Sequence, residues 1–457
     1  MGIIKTIRGW FSMLLKSRAK EEFNIEPISS GQMDAWVNEC VNIYQGNPCW
    51  LDEEDHIDTV NFAKAICSET ARLATLGVGI KLDGSARADW LQEQIDRVYY
   101  QLRHWVEYGC AEGTIVLKPN GETVDLYGRN QFEITHISGD KIDGMVFHNW
   151  KQDGKKWYTR LEYHRFEGDR YVITNKCFVG DTPNDTKERV DISMTPWADM
   201  QEEAWIQNVE RPLFAVFRTP QANNIDIGSP YGMPIFSESV QELRDLDIAY
   251  SRNSKEIRDS KRTVLLDADR MLPNYGLDRT SLPDFVKLVD GTTDKDSDVY
   301  HEINPTLNTD TRLTGINALL SQIGYKVGFS NGYFVFNEST GIQTATQVEA
   351  DQQRTIQFIK DVRDKLESCL DDLIYALDVF ASLYGLAPMG TYEAVYDFGD
   401  ITYNREEDRA RCYSWVAAGR YPFWMYLVKY EGYTEEDAKA IEKEAQPKMD
   451  MLFGGER

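Results

Sequence analysis

At 457 residues with a formal net charge of −24, the chain is long enough for two or three domains or one multi-lobed subunit, and its acidic surplus argues against a protein that grips nucleic-acid phosphates over its whole surface. Hydrophobic residues make up 42% and charged residues 27%, the ordinary globular range, which sets aside global disorder. No apolar run reaches the roughly 18 to 20 residues that span a bilayer, and seven scattered cysteines (Cys40, Cys49, Cys67, Cys110, Cys177, Cys369, Cys412) without a C-x-x-C pair set aside a zinc site and a disulfide framework.

The chain opens on IIKTIRGWFSMLLKSRAK, apolar and basic, but Lys5, Arg8 and Gly9 interrupt it and no small-residue cleavage site follows. It reads as the start of an intact intracellular chain rather than a signal peptide. Two basic islands stand out against the acidic whole: residues 1–20, with Lys5, Arg8, Lys16, Arg18 and Lys20, and SRNSKEIRDSKR at 251–262. Each fits either a solvated helix face or a contact surface.

The spacing predicts a helix over 52–76, with the acids of DEED at its first turn, and a second over about 86–109 carrying Trp90, Leu91, Ile95, Val98, Leu102, Trp105 and Val106. From Thr114 to Val179 short runs rich in Tyr, Phe, Trp and Val alternate with Asn120-Gly121, Asp143-Gly144, Asp153-Gly154 and Gly168-Asp169, the pattern of one antiparallel meander. A Pro- and Gly-bearing link, NNIDIGSPYGMP, leads to a helix from Pro234 whose stripe is Phe236, Val240, Leu243, Leu246 and Tyr250. Its second half is charged nearly all round, as in a helix that leaves its home core.

Three strand-like runs follow in a small insert of about 40 residues, then a helix over about 309–328 with Leu313, Ile316, Leu319, Leu320, Ile323 and Val327 on one side. Next comes the Gly-containing polar stretch NESTGIQ and then apolar residues recurring every three or four positions from Val348 to Tyr384. Capping-box patterns at Thr344 and Thr346 start this helix and Gly385 stops it, giving one continuous rod roughly 60 Å long, with a break near Asp371 as the alternative. A strand over 392–400 and a polar helical pair, NREEDRARCYSWVAAG and then YPFWMYLVKYEG leading into TEEDAKAIEKEA with Thr434 as a good cap, follow.

The sequence holds no phosphate-binding G-x-x-x-x-G-K-[ST] loop, no G-x-S-x-G elbow, no H-E-x-x-H helix and no calcium loop. Its six histidines never approach one another at helical spacing. The acids Asp52–Asp55 and Asp371-Asp372 fit solvated helix positions without a metal. The aromatic residues Trp150, Trp157, Tyr158, Tyr163 and Tyr171 fit cross-strand pairing better than base stacking.

The serial order of mixed lobe, helix, small insert, helix, polar loop, very long helix, strand and helical tail resembles the portal proteins of tailed bacteriophages, in the branch that infects Gram-positive hosts. The likeness lies in DTVNFAKAICSETARL, GSPYGMPIFSESVQELRDLDIAYSRNSKEIRDSKRTVLLD, TGIQTATQVEADQQRTIQFIKD and FGDITYNREEDRARCYSWVAAGRYPFWMYL, which together span about 55 to 430. The resemblance implies an α+β subunit with an N-terminal arm (1–30), a wing of helices and antiparallel sheet (31–228), stem helices (229–262 and 306–330), a small clip (263–305), a tunnel loop (331–343), a long wing helix (344–386), a wing strand (387–402) and a helical crown and tail (403–457).

It implies a function too. About twelve copies would close into a ring at one capsid vertex of the virion, assembled in the host cytoplasm. Double-stranded DNA would pass through without sequence specificity. The ring would also dock the large terminase subunit, a head-completion adaptor, and the major capsid and scaffolding proteins. No catalytic residue, metal or cofactor is implied. The loop residues facing DNA would be Asn331, Asn337, Glu338, Ser339, Thr340, Gly341 and Gln343; the stem residues facing the channel or a neighbouring subunit Lys255, Arg258, Lys261, Arg262 and Lys326; and the clip residues Asp267, Asp269, Arg270, Asp284 and Lys287. A metal-dependent nuclease built on the acid clusters, and a scaffold built on the long helix, are the alternatives.

Overall fold

The computed structural model describes residues 16–51, 56–121, 123–139, 141–183, 185–260, 263–267, 286–289, 300–303, 308–336, 345–399, 405–417 and 420–445. The chain mixes helix and sheet, an α+β composition, and divides into two compact units, residues 1–398 and 399–457.

In the first unit, hairpins build the main sheet. Strands β4 (Phe132–Ser138), β5 (Lys141–Asp153), β6 (Lys156–Glu167) and β7 (Arg170–Gly180) pair antiparallel in sequence order, and β8 (Glu188–Val190) and β9 (Glu203–Gln207) both pair with β7. Gly154 and Gly168 take positive φ in the two-residue turns on either side of β6, as tight hairpins require. Alternation splits the side chains between the two faces. Phe132, Ile134, Met145 and Phe147 enter one core with Met33, Val37, Phe214 and Tyr231. On the opposite face Val146, Leu161 and Phe178 pack under Ala19 and Phe23 of the helical residues 16–23.

The expected single meander is in fact two sheets. Strands β2 (Thr114–Pro119) and β3 (Val124–Tyr127) form a hairpin, but β2 pairs on its other edge with β10 (Ala215–Arg218), nearly a hundred residues later. Asp143-Gly144 is not a turn either. The hairpin closes at Gly139, where Ser138 faces Lys141, and Gly144 lies inside β5 opposite a register shift, where a Cβ would come 2.7 Å from Thr135 Oγ1. A buried charge group joins the two sheets. Lys118 of β2 donates to Glu162 of β6 at 2.6 Å, and Arg160 and His164 approach the same carboxylate at 2.8 and 2.9 Å.

After the helical residues 16–23, three helices among the described residues precede the small sheet in the chain. The first is α1 (Gly31–Tyr44), which sequence spacing did not predict. The second, α2, runs Phe62–Ala74 rather than from residue 52. Its N-cap Asn61 is left-handed, and the backbone N–H groups of Asp58 and Val60 are taken by Ser251 and Asp247 instead of by a helix. The third, α3 (Ala86–Glu112), passes through Gly109 and stops at Gly113. Gly109 is not a stop because the Phe217 ring lies against its backbone, where a Cβ would sit 2.4 Å from the ring.

Two further helices, α4 (Val240–Asp259) and α5 (Thr309–Val327), pair with each other, while between them β11 (Thr263–Asp267) pairs parallel with β12 (Val286–Val289) and antiparallel with β13 (Tyr300–Ile303). The long helix α6, Ala345–Tyr384, has 40 residues without a break at Asp371. Gly385 at φ +61° ends it, and Leu386 N–H returns to the Ala381 carbonyl, a left-handed stop. Strand β14 (Glu393–Asp397) then pairs antiparallel with β1 (Gly79–Asp83).

The second unit has helices α7 (Arg405–Ala417), α8 (Phe423–Tyr426), which continues through a π-turn at Leu427–Glu431, and α9 (Glu435–Ala445). Cys412, Tyr426, Leu427, Tyr430 and Ala438 form its core. Glu442 of α9 accepts from Phe423 N–H at 2.7 Å and so caps α8, while Thr434 Oγ1 accepts from Asp437 N–H at the start of α9. Three helices replace the expected pair because Gly432, at φ +76°, breaks the second one.

Candidate functional site

The segment between α5 and α6 includes the polar loop that the sequence singled out, and the first part of that segment is held by side chains of three helices. Gly328 ends α5 at φ +125°. That conformation suits glycine, and a Cβ there would lie 2.8 Å from Phe358 of α6. Phe329, fully buried, meets Phe334, Tyr333 and Phe358 at centroid distances of 4.8, 4.9 and 5.6 Å, and Phe334 meets Phe62 of α2 edge to face at 5.2 Å. These separations suit edge and offset aromatic packing.

Hydrogen bonds hold what the rings pack. Ser330 N–H donates to Thr355 Oγ1 at 2.8 Å, and Thr355 Oγ1 donates to Ser330 Oγ at 3.0 Å. Tyr333 OH donates to Glu69 of α2, whose carboxylate receives two bonds from Arg72 at 2.6 and 2.8 Å. The Arg72 bond, and then Tyr333, hold the Glu69 carboxyl below its ordinary value. On α5, Ser321 donates to Asn331 Oδ1 and accepts from Gly332 N–H at 3.1 Å, while Asn317 donates to the Phe336 carbonyl at 2.9 Å and accepts from its N–H at 3.0 Å.

The first part of the loop, Asn331–Phe336, is therefore a clasped turn. The run YFVF just ahead of the polar stretch NESTGIQ was the signal for it: four apolar residues in a row are expensive to leave in water. Asn337, Glu338, Ser339, Thr340, Gly341 and Gln343 lie outside the described residues.

The long helix that follows is gripped along its length. Arg363, buried, donates to the carbonyls of Leu73, Ala74 and Leu76 at the end of α2. Near the other end, Arg87 of α3, 1% exposed, donates to the carbonyls of Asp378 and Pro388 and to Ser382 Oγ. Tyr375 OH accepts from Glu210 N–H at 2.7 Å. Buried arginines on backbone carbonyls fix a helix in both rotation and height, since each guanidinium offers several donors in one plane.

The stem positions fall into two groups. Lys326 pairs with Glu242 of α4 and donates to the Glu238 carbonyl at 3.0 Å, and Arg312 of α5 pairs with Glu256 of α4, so these cations close the α4–α5 pair within one chain. Lys255 and Arg258 are exposed on α4 and make no ion pair among the described residues. The apolar stripe of α4 continues past its buried half: Leu243 and Leu246 are covered, but Ile257 is 51% exposed. Asp267 and Lys287 stand on β11 and β12 of the insert, with side chains outside the described residues; Lys261, Arg262, Asp269, Arg270 and Asp284 lie outside them as well.

Among the described residues no group of three His, Cys, Asp or Glu is arranged to hold a metal ion. Asp372 pairs with Arg211 at 3.3 Å and Asp371 accepts from Tyr396 OH at 2.6 Å, so both acids have structural partners; Asp52–Asp55 lie outside the described residues. A surface cavity of about 560 Å³ between the β4–β5 hairpin and α6 has Lys141, Asp143, Arg211, Arg218 and Asp372 in its walls. Its charges alternate in sign and leave little net field for a small ion. No helix among the described residues is long and apolar enough to cross a membrane. No protein-family profile matches this sequence, and no curated protein matches it.

Proposed function

We propose that the chain is a portal-type subunit, one of about twelve copies around a channel for double-stranded DNA at a capsid vertex. The observation that carries the reading is the 40-residue α6, clamped at Thr355, Arg363 and Asp378, with the polar stretch just ahead of it in sequence and the segment 331–336 before that rooted on α5. A strut so held gives a short loop a fixed base from which to touch a sliding duplex. The formal charge of −24 per copy supports it further: a conduit must not retain its cargo, and an acidic wall weakens the salt-sensitive attraction for phosphates.

In this reading the residues Asn337, Glu338, Ser339, Thr340 and Gln343 offer the DNA weak hydrogen bonds and no strong phosphate clamp. Lys255 and Arg258 face the channel or the next subunit. The insert at 263–305 meets the terminase and later the head-completion adaptor, and the ring contacts the major capsid and scaffolding proteins. The chain itself does no chemistry, and a separate ATPase drives packaging.

The test joins imaging with a deletion. End-on electron micrographs of the purified protein are expected to show rings with an axial hole wide enough for a duplex, roughly 20 Å. Removing Glu338–Gly341 is expected to leave the rings intact and impair DNA packaging or retention. Particles without a hole overturn the proposal, and unimpaired packaging by the deletion removes the loop from it.

A further inference from the structure

The geometry points to Asn317 as the positioning residue that fixes where the loop leaves the subunit, and this rests on the reading of that loop as the working element. Asn317 stands near the middle of α5. Its side chain both donates to the Phe336 carbonyl and accepts from the Phe336 N–H, the reciprocal exchange that neighbouring strands make and that a carboxamide can copy. One turn further along the helix, Ser321 does the same work on Asn331 and Gly332.

Residues 331–336 are thus stitched backwards along α5, from Ser321 to Asn317, while Tyr333 and Phe334 of the same segment turn to Glu69 and Phe62 on α2. The chain leaves this track at Phe336, whose side chain is 56% exposed although its backbone is held on both sides.

The stitching sets the reach of the loop. Between Phe336 and the start of α6 at Ala345 lie residues 337–344, at most about 29 Å of fully extended chain, or roughly 14 Å out and back. Were residues 331–336 free as well, the reach would nearly double. Asn317 therefore fixes the last held point, Phe336, before residues 337–344, and any shift of α5 carries that point with it. Tyr333 and Glu69 act as a second tie, through α2.

Hydrogen exchange on the full-length protein tests this without DNA. The amides of Gly332 and Phe336 are expected to be protected in the unaltered chain. Asn317→Leu, which keeps a good helix former on α5, is expected to speed exchange across 331–336 by about fivefold to tenfold, the loss of one or two hydrogen bonds, with the amides of α5 unchanged. Asn317→Asp, which still accepts from Phe336 N–H but cannot donate to its carbonyl, is expected to fall between the two. Ser321→Ala and Tyr333→Phe give milder versions in case the leucine variant does not fold. Fast exchange across 331–336 in the unaltered chain, or equal protection in Asn317→Leu, overturns the proposal. Packaging by the Glu338–Gly341 deletion is a separate readout, so failure of the loop reading is distinguishable from failure of this one.

Discussion

Arg363 on α6 and Leu73 at the end of α2 are 290 residues apart in sequence and joined by a 2.9 Å hydrogen bond from guanidinium to carbonyl. The last carbonyls of a helix have no partner within it, and the negative end of the helix dipole favours a cation there. Arg363 answers both needs for α2, since Ala74 and Leu76 accept from the same side chain at 3.1 and 3.2 Å.

Replacing it should show what the clamp contributes. Arg363→Met keeps the apolar stem and removes every donor, leaving the buried Ala74 carbonyl without this partner, while Leu73 keeps the Leu76 N–H and Leu76 is exposed to water; one unsatisfied buried group costs about 1–3 kcal/mol. A loss of about 2 kcal/mol is expected, seen as a lower denaturation midpoint for the first unit with no change in the second. Arg363→Lys should recover only a part, because one ammonium lacks the flat fork of donors. A midpoint unmoved by Arg363→Met would show that solvent replaces the clamp at no cost.

What the sequence made legible here was local. The rod over 344–385 was readable because apolar residues recur at helical spacing between a Thr cap and Gly385, and both signals act within a few residues. The helices at 86–112 and 309–327 and the turns at Gly154 and Gly168 were readable for the same reason. Pairing over long distance was not. Four residues of β10 decide that β2 and β3 leave the meander, and β1 finds β14 across about 300 residues of chain, with no local sign of either. The loop root shows the same limit, since Tyr333 meets Glu69 from 264 positions away. Gly109 and Gly144 misled as stop and turn because each glycine is there to admit a neighbour, Phe217 in one case and Thr135 in the other.

Glu162 gives a second prediction. Burial alone would raise its carboxyl, but Lys118 and Arg160 outweigh burial and hold it well below its ordinary 4.5. Glu162→Gln would leave Lys118 and Arg160 in the interior without their anion, a break that costs about 3–5 kcal/mol for a buried pair. The pH dependence follows from the direction of the shift. A carboxylate whose native value is depressed contributes stability that is complete above its unfolded value and is lost as pH falls towards the native one. The gap between the unaltered protein and Glu162→Gln should be widest at neutral pH and shrink steadily below about pH 4.5, measured by urea unfolding at several pH values. A gap independent of pH would mean that packing, not charge, is what the carboxylate supplies.

His148 loses stability on acidification too, but through burial of a neutral ring rather than through a charge pair. It sits in β5 beside the fully buried Phe147, and burial pushes its imidazole from an ordinary 6.5 down to about 4. Between those two values the unfolded chain binds a proton that the folded chain refuses, so stability from this residue falls as the solution is acidified, beginning near pH 6.5 and levelling near pH 4. A displacement of that size corresponds to about 3 kcal/mol at 1.36 kcal/mol per pH unit. His148→Leu removes the titrating group and keeps an apolar side chain of similar bulk. The variant is expected to stay close to the unaltered protein at pH 7.5 and to become the more stable of the two by pH 4.5, a crossover visible in denaturation midpoints. Glu162 is present in both proteins and its own acid loss lies lower, so it shifts both curves together and leaves the crossover in place. Parallel curves from pH 7.5 to 4 would show that His148 accepts its proton inside the fold, with the sheet opening locally around it.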